Sequence, residues 1–250
     1  MRLEGMVALI TGGSRGIGRA ICVEYAREGA TVAVNYARNA AAADETVRRI
    51  AGEGGEAFAV QADVSDKAQV DAMVASVIDR CGRIDALVNN AGVGPFVDFF
   101  ECDEELWDRT QAVNCKGVFL VSQAVARHMR EQGGGHIVNV TSISGLKATN
   151  PLQVPYCTSK GGANMLTKIM AVALAPYNIT VNAILPGTIE TDINREILGE
   201  EGVREEILEV TPLRALGLPE HIAHAAVLLG CRESNWTTGS LLVVDGGFIA

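Results

Sequence analysis

The chain has 250 residues, 48% of them hydrophobic, which is enough to bury one sizeable core, and a single domain over 1–250 is expected. Its formal charge of -9 and pI near 5.0 leave no basic field for nucleic acid, and no Lys/Arg-rich run stands out. No apolar stretch reaches the roughly 18 residues of a membrane span, and the start carries a charge inside its apolar stretch and runs into a Gly-rich turn, so no signal peptide is expected.

Short apolar runs alternate with longer amphipathic ones, a pattern that predicts repeated βα units and a parallel sheet. A strand at Val7–Thr11 leads through Thr11-Gly-Gly-Ser-Arg-Gly-Ile-Gly18 into a helix at Gly16–Arg27. A strand at Thr31–Asn35, a helix at Ala40–Ala51 and a loop at Gly52–Gly55 follow, then a strand at Ala57–Gln61, a helix at Lys67–Arg80 and a strand at Ala86–Asn89. One helix is expected over Asp103–Val113, continuing through Lys116 to Arg130 and stopping before Gly133-Gly134-Gly135. The rest reads as a strand at His136–Thr141, a helix at Pro155–Ala175, a strand at Thr180–Ile184 before Pro186-Gly187, a helix at Glu220–Leu229 and a strand at Leu241–Val244. The acidic, weakly periodic stretch Glu190–Val210, broken by Gly199 and Gly202, predicts a mobile lid within 188–212. There is no linker, low-complexity tract or fixed-period repeat.

Six cysteines (Cys22, Cys81, Cys102, Cys115, Cys157 and Cys231) form no Cys-x-x-Cys pair and no metal-ligand spacing with the four histidines. Reduced thiols in a cytoplasmic setting and no metal site are therefore expected.

Two constellations carry chemistry. In the turn after the first strand, Gly12, Gly16 and Gly18 remove side chains where backbone must approach a pyrophosphate, and the next helix offers unpaired N–H groups and a positive dipole end. The spacing is Gly-x-x-x-Gly-x-Gly rather than Gly-x-Gly-x-x-Gly. In Tyr156-Cys157-Thr158-Ser159-Lys160, a phenol and an ammonium four residues apart share one helix face, so the cation can stabilise the phenolate. That pairing suits proton transfer.

The chain resembles the short-chain dehydrogenase/reductase family over essentially its whole length. The resemblance rests on Thr11-Gly-Gly-Ser-Arg-Gly-Ile-Gly18, Ala62-Asp63-Val64, Asn89-Asn90-Ala91-Gly92, Val113-Asn114, Ser142, Tyr156-x-x-x-Lys160, Pro186-Gly187 and Val244-Asp245-Gly246-Gly247. It implies a Rossmann-type, doubly wound α/β fold with strand order 3-2-1-4-5-6-7 and a nicotinamide dinucleotide across the carboxyl ends of the strands. Residues 1–140 would mainly bind cofactor, and 141–250 would carry catalysis and substrate. The resemblance also implies a homotetramer assembled through paired long helices and the C-terminal strand region.

Carried over residue by residue, the resemblance makes Tyr156 the general acid in reduction and general base in oxidation. Bringing a tyrosine from about 10 to about 7 requires roughly 4 kcal/mol of preferential phenolate stabilisation, for which Lys160 and the oxidised nicotinamide are the sources. Lys160 would also hold the nicotinamide ribose, and Ser142 would orient the substrate oxygen. Ser144 is the competing candidate; Ser142 is preferred because it directly follows the strand ending at Thr141. Asn114 would hold a helix irregularity and a water leading to the lysine. Ser14, Arg15 and Ile17 belong to the phosphate turn, Asp63 and Val64 to the adenine side, and Asn89, Ala91 and Gly92 to the cofactor channel, with Asn90 supporting the sheet. Pro186, Gly187, Thr188, Ile189 and Thr191 would reach the carboxamide.

The end of the second strand reads Asn35-Tyr36-Ala37-Arg38, without the carboxylate that a 2′-phosphate would repel, and Arg15 stands in the turn. NADP preference is expected, with NAD possible. Two substrate classes stay open. Asn150, Gln153 and Asn194 suit a hydroxyl-rich substrate of the kind sugar 1-dehydrogenases take. Pro95, Phe96, Val97, Phe99 and Phe100 suit an acyl chain or small ketone, as in 3-oxoacyl-carrier-protein reductases, although Gly133 and Tyr177 stand where those reductases keep basic docking residues. A catalytically silent dinucleotide sensor is a third reading, weakened because Ser142, Tyr156 and Lys160 are all present.

Overall fold

The computed structural model describes residues 1–191, 198–199 and 202–250. Seven parallel strands form one sheet in the order β3-β2-β1-β4-β5-β6-β7. They are β1 Val7–Ile10, β2 Thr31–Tyr36, β3 Glu56–Gln61, β4 Ala86–Asn89, β5 Gly135–Val140, β6 Ile179–Pro186 and β7 Leu241–Val244. Among the described residues the longer helices are α1 Gly16–Arg27, α2 Ala40–Gly52, α3 Lys67–Cys81, α4 Glu104–Gln111, α5 Gly117–Gln132, α6 Val154–Leu174, α7 Val203–Val210 and α8 Pro219–Gly230.

The central strands are continuously apolar because both sheet faces are covered. On one face Ile10, Val34 and Ile184 pack with Ile21 and Tyr25 of α1 and Ile222 and Ala226 of α8. On the other, Leu9, Leu87, Ile137 and Val181 pack with Val74 of α3, Val121 and Met129 of α5 and Met170 of α6. Asn39, Asp66 and Asp103 accept hydrogen bonds from first-turn amides and so start α2, α3 and α4. Strand order reverses between β1 and β4, and the crevice at their carboxyl ends is where this architecture binds ligands.

The expected elements are present, with two informative departures. The helix anticipated from Asp103 to Arg130 is interrupted by a π-helical turn at Ala112–Lys116, which places Asn114 where its amide reaches both Val93 and α6. β6 runs on to Pro186 because β7 pairs with Ala183–Pro186, a register that sequence alone does not reveal. Within the expected lid, Val203–Val210 is helical with no fully buried residue.

Gly18 is the tightest point of the turn after β1: a methyl there would stand 2.2 Å from the Gly12 carbonyl oxygen and 2.5 Å from Asn90 Nδ2. Gly18→Ala is therefore expected to lose about 1–3 kcal/mol of stability together with dinucleotide affinity. Thermal unfolding beside a cofactor titration checks this, and an unchanged Tm would show that the turn has room.

Candidate active site

The Gly-rich turn is braced from beneath by asparagines. Asn90 Nδ2 donates to the carbonyls of Thr11 and Gly12 at 3.0 and 3.1 Å, and Thr11 Oγ1 accepts from the amides of Asn90 and Ala91. Gly12 has φ +64, and its Cα lies so close to Ala91 that a Cβ would meet Ala91 Cα at 2.9 Å. Arg15 is exposed at the start of α1, where no side chain caps the helix and no acidic residue occupies the first turn, an arrangement that favours an anion.

Asn35, expected at the cofactor-selecting end of the second strand, and Asn89, expected to line the cofactor channel, have their side-chain amides engaged inside the protein. Asn35 is buried; its Oδ1 accepts from Gly12 N–H at 3.3 Å and its Nδ2 donates to the carbonyls of Val60 and Ala62. Asn89 donates from Nδ2 to Ser122 Oγ and Asn139 Oδ1, both at 2.9 Å, tying β4 to β5 and α5. The expectation for the Asn89-Asn90 pair is thus corrected: Asn89 supports the sheet, and Asn90 holds the turn. The inward turn of Asn35 and Asn89 has one cause, since a buried amide left without hydrogen-bond partners is costly.

Beyond Asn35, Tyr36 is half-buried and Arg38 is exposed. Asp63 accepts from the hydroxyl and amide of Ser65 at 2.7 and 3.0 Å. Those bonds lower its pKa, and the charges of Arg109 and Arg38 add to the effect. Val64 is buried against Gly117. Across the crevice, Gly187 N–H donates to Val244 O, Ile189 bridges to Gly217, and Thr191 packs over Gly16. A cleft of about 590 Å³ is lined by residues of α1 together with Thr191 and Pro219, and within it Arg27 pairs with Glu24 and Glu53.

The reactive cluster sits where β4 and β5 end and α6 begins. Lys160 is 6% exposed; its Nζ donates to Val140 O at 3.0 Å and lies 5.6 Å from the Tyr156 ring centroid. Burial pulls the Lys160 pKa from 10.5 down to about 8, so the group is still mostly protonated at neutral pH. Burial pushes the Tyr156 phenol above its ordinary value, and a hydrogen bond with Ser142 opposes that rise. Ser142 is buried at the end of β5, and its Oγ also accepts from Ser144 N–H at 3.0 Å. Asn114 accepts from Val93 N–H at 2.8 Å and donates to Val93 O at 2.7 Å. Gly92 lies beside Asn114 and Lys160, while Gly94 faces the Tyr156 ring.

On the substrate side, Val97 N–H donates to Leu152 O at 2.8 Å, joining the loop after Gly92 to the loop before α6. Asn150 uses Oδ1 to cap Leu152 N–H, which leaves its Nδ2 for a ligand. Gln153 is half-buried, and Phe96 is 45% exposed at the rim with Phe99 and Phe100 in edge-to-face contact. Asn194 lies outside the described residues. Sequence reasoning missed a hydroxyl pair, Ser144 Oγ to Thr149 Oγ1 at 2.8 Å, and the bond joining Asn114 to Ser159. Neither is visible in residue spacing, because each pairs side chains through a turn or between helices.

Among the described residues no His, Cys, Asp or Glu group is arranged to hold a metal, and no helix is long and apolar enough to cross a membrane.

The family model described as enoyl-(acyl carrier protein) reductase matches residues 12–249. The chain is 41% identical over 251 residues to an L-rhamnose 1-dehydrogenase (NAD(P)(+)) of Azotobacter vinelandii, covering 99% of this chain and 98% of that one. It is also 41% identical over 249 residues to a 3-oxoacyl-[acyl-carrier-protein] reductase of Thermotoga maritima, covering all of both. A gluconate 5-dehydrogenase of Burkholderia cenocepacia, solved with NADP and tartrate, superposes with a TM-score of 0.94 at 37% identity, covering 99% and 96% of the two chains. The chain belongs to the short-chain dehydrogenase/reductase family. It is an NAD(P)-dependent oxidoreductase that interconverts an alcohol and a carbonyl.

The buried ammonium has a measurable signature. Lys160 releases its proton near 8 when folded and near 10.5 when unfolded, so the burial penalty of about 3 kcal/mol is fully present below pH 8 and fades between 8 and 10.5. Stability relative to Lys160→Met is expected to rise as pH increases through that window. A difference in Tm that stays flat from pH 7 to 10 would mean that the ammonium is solvated.

Proposed function

We propose that residues 1–250 act as one domain that oxidises a sugar or related polyol at a CH–OH group with preference for NADP. The observation that carries this reading is the cluster of Ser142, Tyr156, Lys160 and Asn114 beside a Gly-rich turn so closely packed that Gly12 and Gly18 have no room for side chains. The residues present fit a nicotinamide dinucleotide. Gly12, Ser14, Gly16, Ile17 and Gly18 take the pyrophosphate, Asp63 and Val64 the adenine, Ala91 and Gly92 the channel, and Pro186 to Thr191 the carboxamide end. Lys160 bonds one carbonyl through Nζ, and the other ammonium hydrogens serve the ribose hydroxyls.

When bound, the nicotinamide exchanges hydride with the substrate carbon. Tyr156 exchanges the matching proton with the substrate oxygen, and Ser142 orients that oxygen by a hydrogen bond. Since burial raises the Tyr156 pKa in the free chain, the phenol keeps its proton until a neighbouring positive charge and a bound oxygen lower the cost of releasing it. Lys160 holds one such charge in place. Asn114 anchors the π turn next to it, where a water relay to the lysine would run.

Arg15 and Arg38, both exposed, would hold the 2′-phosphate, and Asn35 rather than a carboxylate stands near the end of β2. The sugar assignment draws on the rhamnose dehydrogenase relative and on Asn150 Nδ2, Gln153 and Asn194 as partners for hydroxyls. A second reading, reduction of a 3-oxoacyl thioester or small ketone, is favoured by the Thermotoga relative and by Phe99 and Phe100, which are 64% and 90% exposed beside the site.

Assembly as a homotetramer is supported by Phe119 on α5 and by Met165, Ile169 and Val172 on α6, an exposed apolar stripe too extensive for a solvated helix face. Exposed Trp236 and Val243 near the edge strand β7 suit a second interface. All six cysteines are free, which accords with a reducing, cytoplasmic setting.

Nicotinamide absorbance with aldoses and polyols, run beside 3-oxoacyl thioesters and ketones, tests the substrate class. Turnover confined to thioesters or ketones would overturn the sugar assignment. Arg15→Ala combined with Arg38→Ala is expected to raise KM for NADP about tenfold or more and leave KM for NAD unchanged; equal changes would remove the case for NADP preference. Met165→Asp with Ile169→Asp should release smaller species in light scattering, and an intact tetramer would place the interface elsewhere.

A further inference from the structure

We propose that Ser159 is a positioning residue for the reaction: its hydroxyl locks the backbone of Tyr156 to Asn114, and through Asn114 to the Val93 segment in front of the phenol. This rests on Tyr156 being the acid/base group. Ser159 is fully buried on α6 between Tyr156 and Lys160. Its Oγ lies 2.7 Å from Tyr156 O and 3.0 Å from Asn114 Nδ2. An amide nitrogen only donates and a carbonyl only accepts, so the single hydroxyl proton must point at Tyr156 O.

The orientation of Asn114 is decided in the same way. Its Oδ1 accepts from Val93 N–H, and its Nδ2 donates to Val93 O with one hydrogen and to Ser159 Oγ with the other. Both amide hydrogens are thus in use, and Ser159 holds the second. The π turn supplies the reach, since it departs from the regular helix at the residue carrying this amide.

The resulting chain of bonds runs from the Val93 backbone through Asn114 and Ser159 to the Tyr156 carbonyl. One residue past Val93, Gly94 approaches the Tyr156 ring, and one residue before it, Gly92 lies against Asn114 and near Lys160. The phenol is therefore clasped between two segments that Ser159 fastens together. Thr158 makes a superficially similar bond, donating to Val154 O at 2.9 Å, but it is exposed and touches neither Asn114 nor the Val93 segment.

Removing the Ser159 hydroxyl leaves an Asn114 hydrogen unpaired in a buried place, which favours a shifted amide and a looser Val93 segment. A misplacement of about 1 Å at the reacting groups costs on the order of 100-fold in rate. Alanine is the better helix former, so Ser159→Ala is expected to fold.

The test compares Ser159→Ala, Ser159→Thr, Thr158→Ala and Tyr156→Phe on the substrate that gives turnover, with amide hydrogen exchange of the 92–96 segment followed in the cofactor-free chain. The expected result is a fall of about 10- to 100-fold in kcat for Ser159→Ala, with KM and dinucleotide affinity nearly unchanged and faster exchange at 92–96. Ser159→Thr, which keeps the hydroxyl, should recover much of both losses, and Thr158→Ala should behave as the native chain. A Ser159→Ala enzyme with native kcat, or one that loses kcat while exchange at 92–96 stays native, would overturn the proposal. If Tyr156→Phe retains full turnover, the acid/base reading itself fails; if it is inactive while Ser159→Ala is native, only the positioning role does.

Discussion

The rest of the site is arranged around one costly object, the ammonium of Lys160 held almost out of water. It is tolerated because Val140 O, at the end of β5, accepts one of its hydrogens; among the described residues no carboxylate pairs with it. A carboxylate there would neutralise the field that the phenolate needs. Burial makes the cation less favourable and also more effective, since the low local dielectric strengthens its interaction with any negative charge formed on Tyr156.

That placement follows from the sheet. Parallel strands deliver their carboxyl ends to one edge, so β1 brings the Gly-rich turn, β4 the Asn89–Gly92 segment, and β5 the Val140 carbonyl and Ser142 to one crevice. α6 then carries Tyr156 and Lys160 across it. Asparagines recur at the seams, with Asn35, Asn89, Asn90 and Asn114 each bridging segments far apart in sequence. An amide suits this role because it donates and accepts at once and remains uncharged when buried. The same seams keep the backbone around the turn close-packed, which is why Gly12 and Gly18 cannot carry side chains.

The substrate side is built differently. The loops at 93–100 and 145–153 are joined by a single backbone bond between Val97 and Leu152, and polar and apolar groups both face the opening. Asn150 offers half of its amide, Ser144 and Thr149 satisfy each other, and Phe99 and Phe100 lie out in solvent. Specificity in such a site depends on which groups a ligand leaves unpaired more than on the contacts it makes.

Much of this molecule is written locally. Apolar periodicity, capping residues such as Asp66 and Asp103, and the Gly-rich turn lie within a few residues of what they control, so the sequence by itself determined the order of strands and helices and the Tyr156–Lys160 pairing on one helix face. Only the tertiary structure decided that Asn89 faces the sheet while Asn90 grips a turn 79 residues away, that Asn35 turns inward, and that the helix through Asn114 opens into a π turn. Those outcomes depend on hydrogen-bond partners supplied by other strands and helices. Each of these amides turns toward the partners that other segments offer it, and that set of neighbours exists only once the chain has folded.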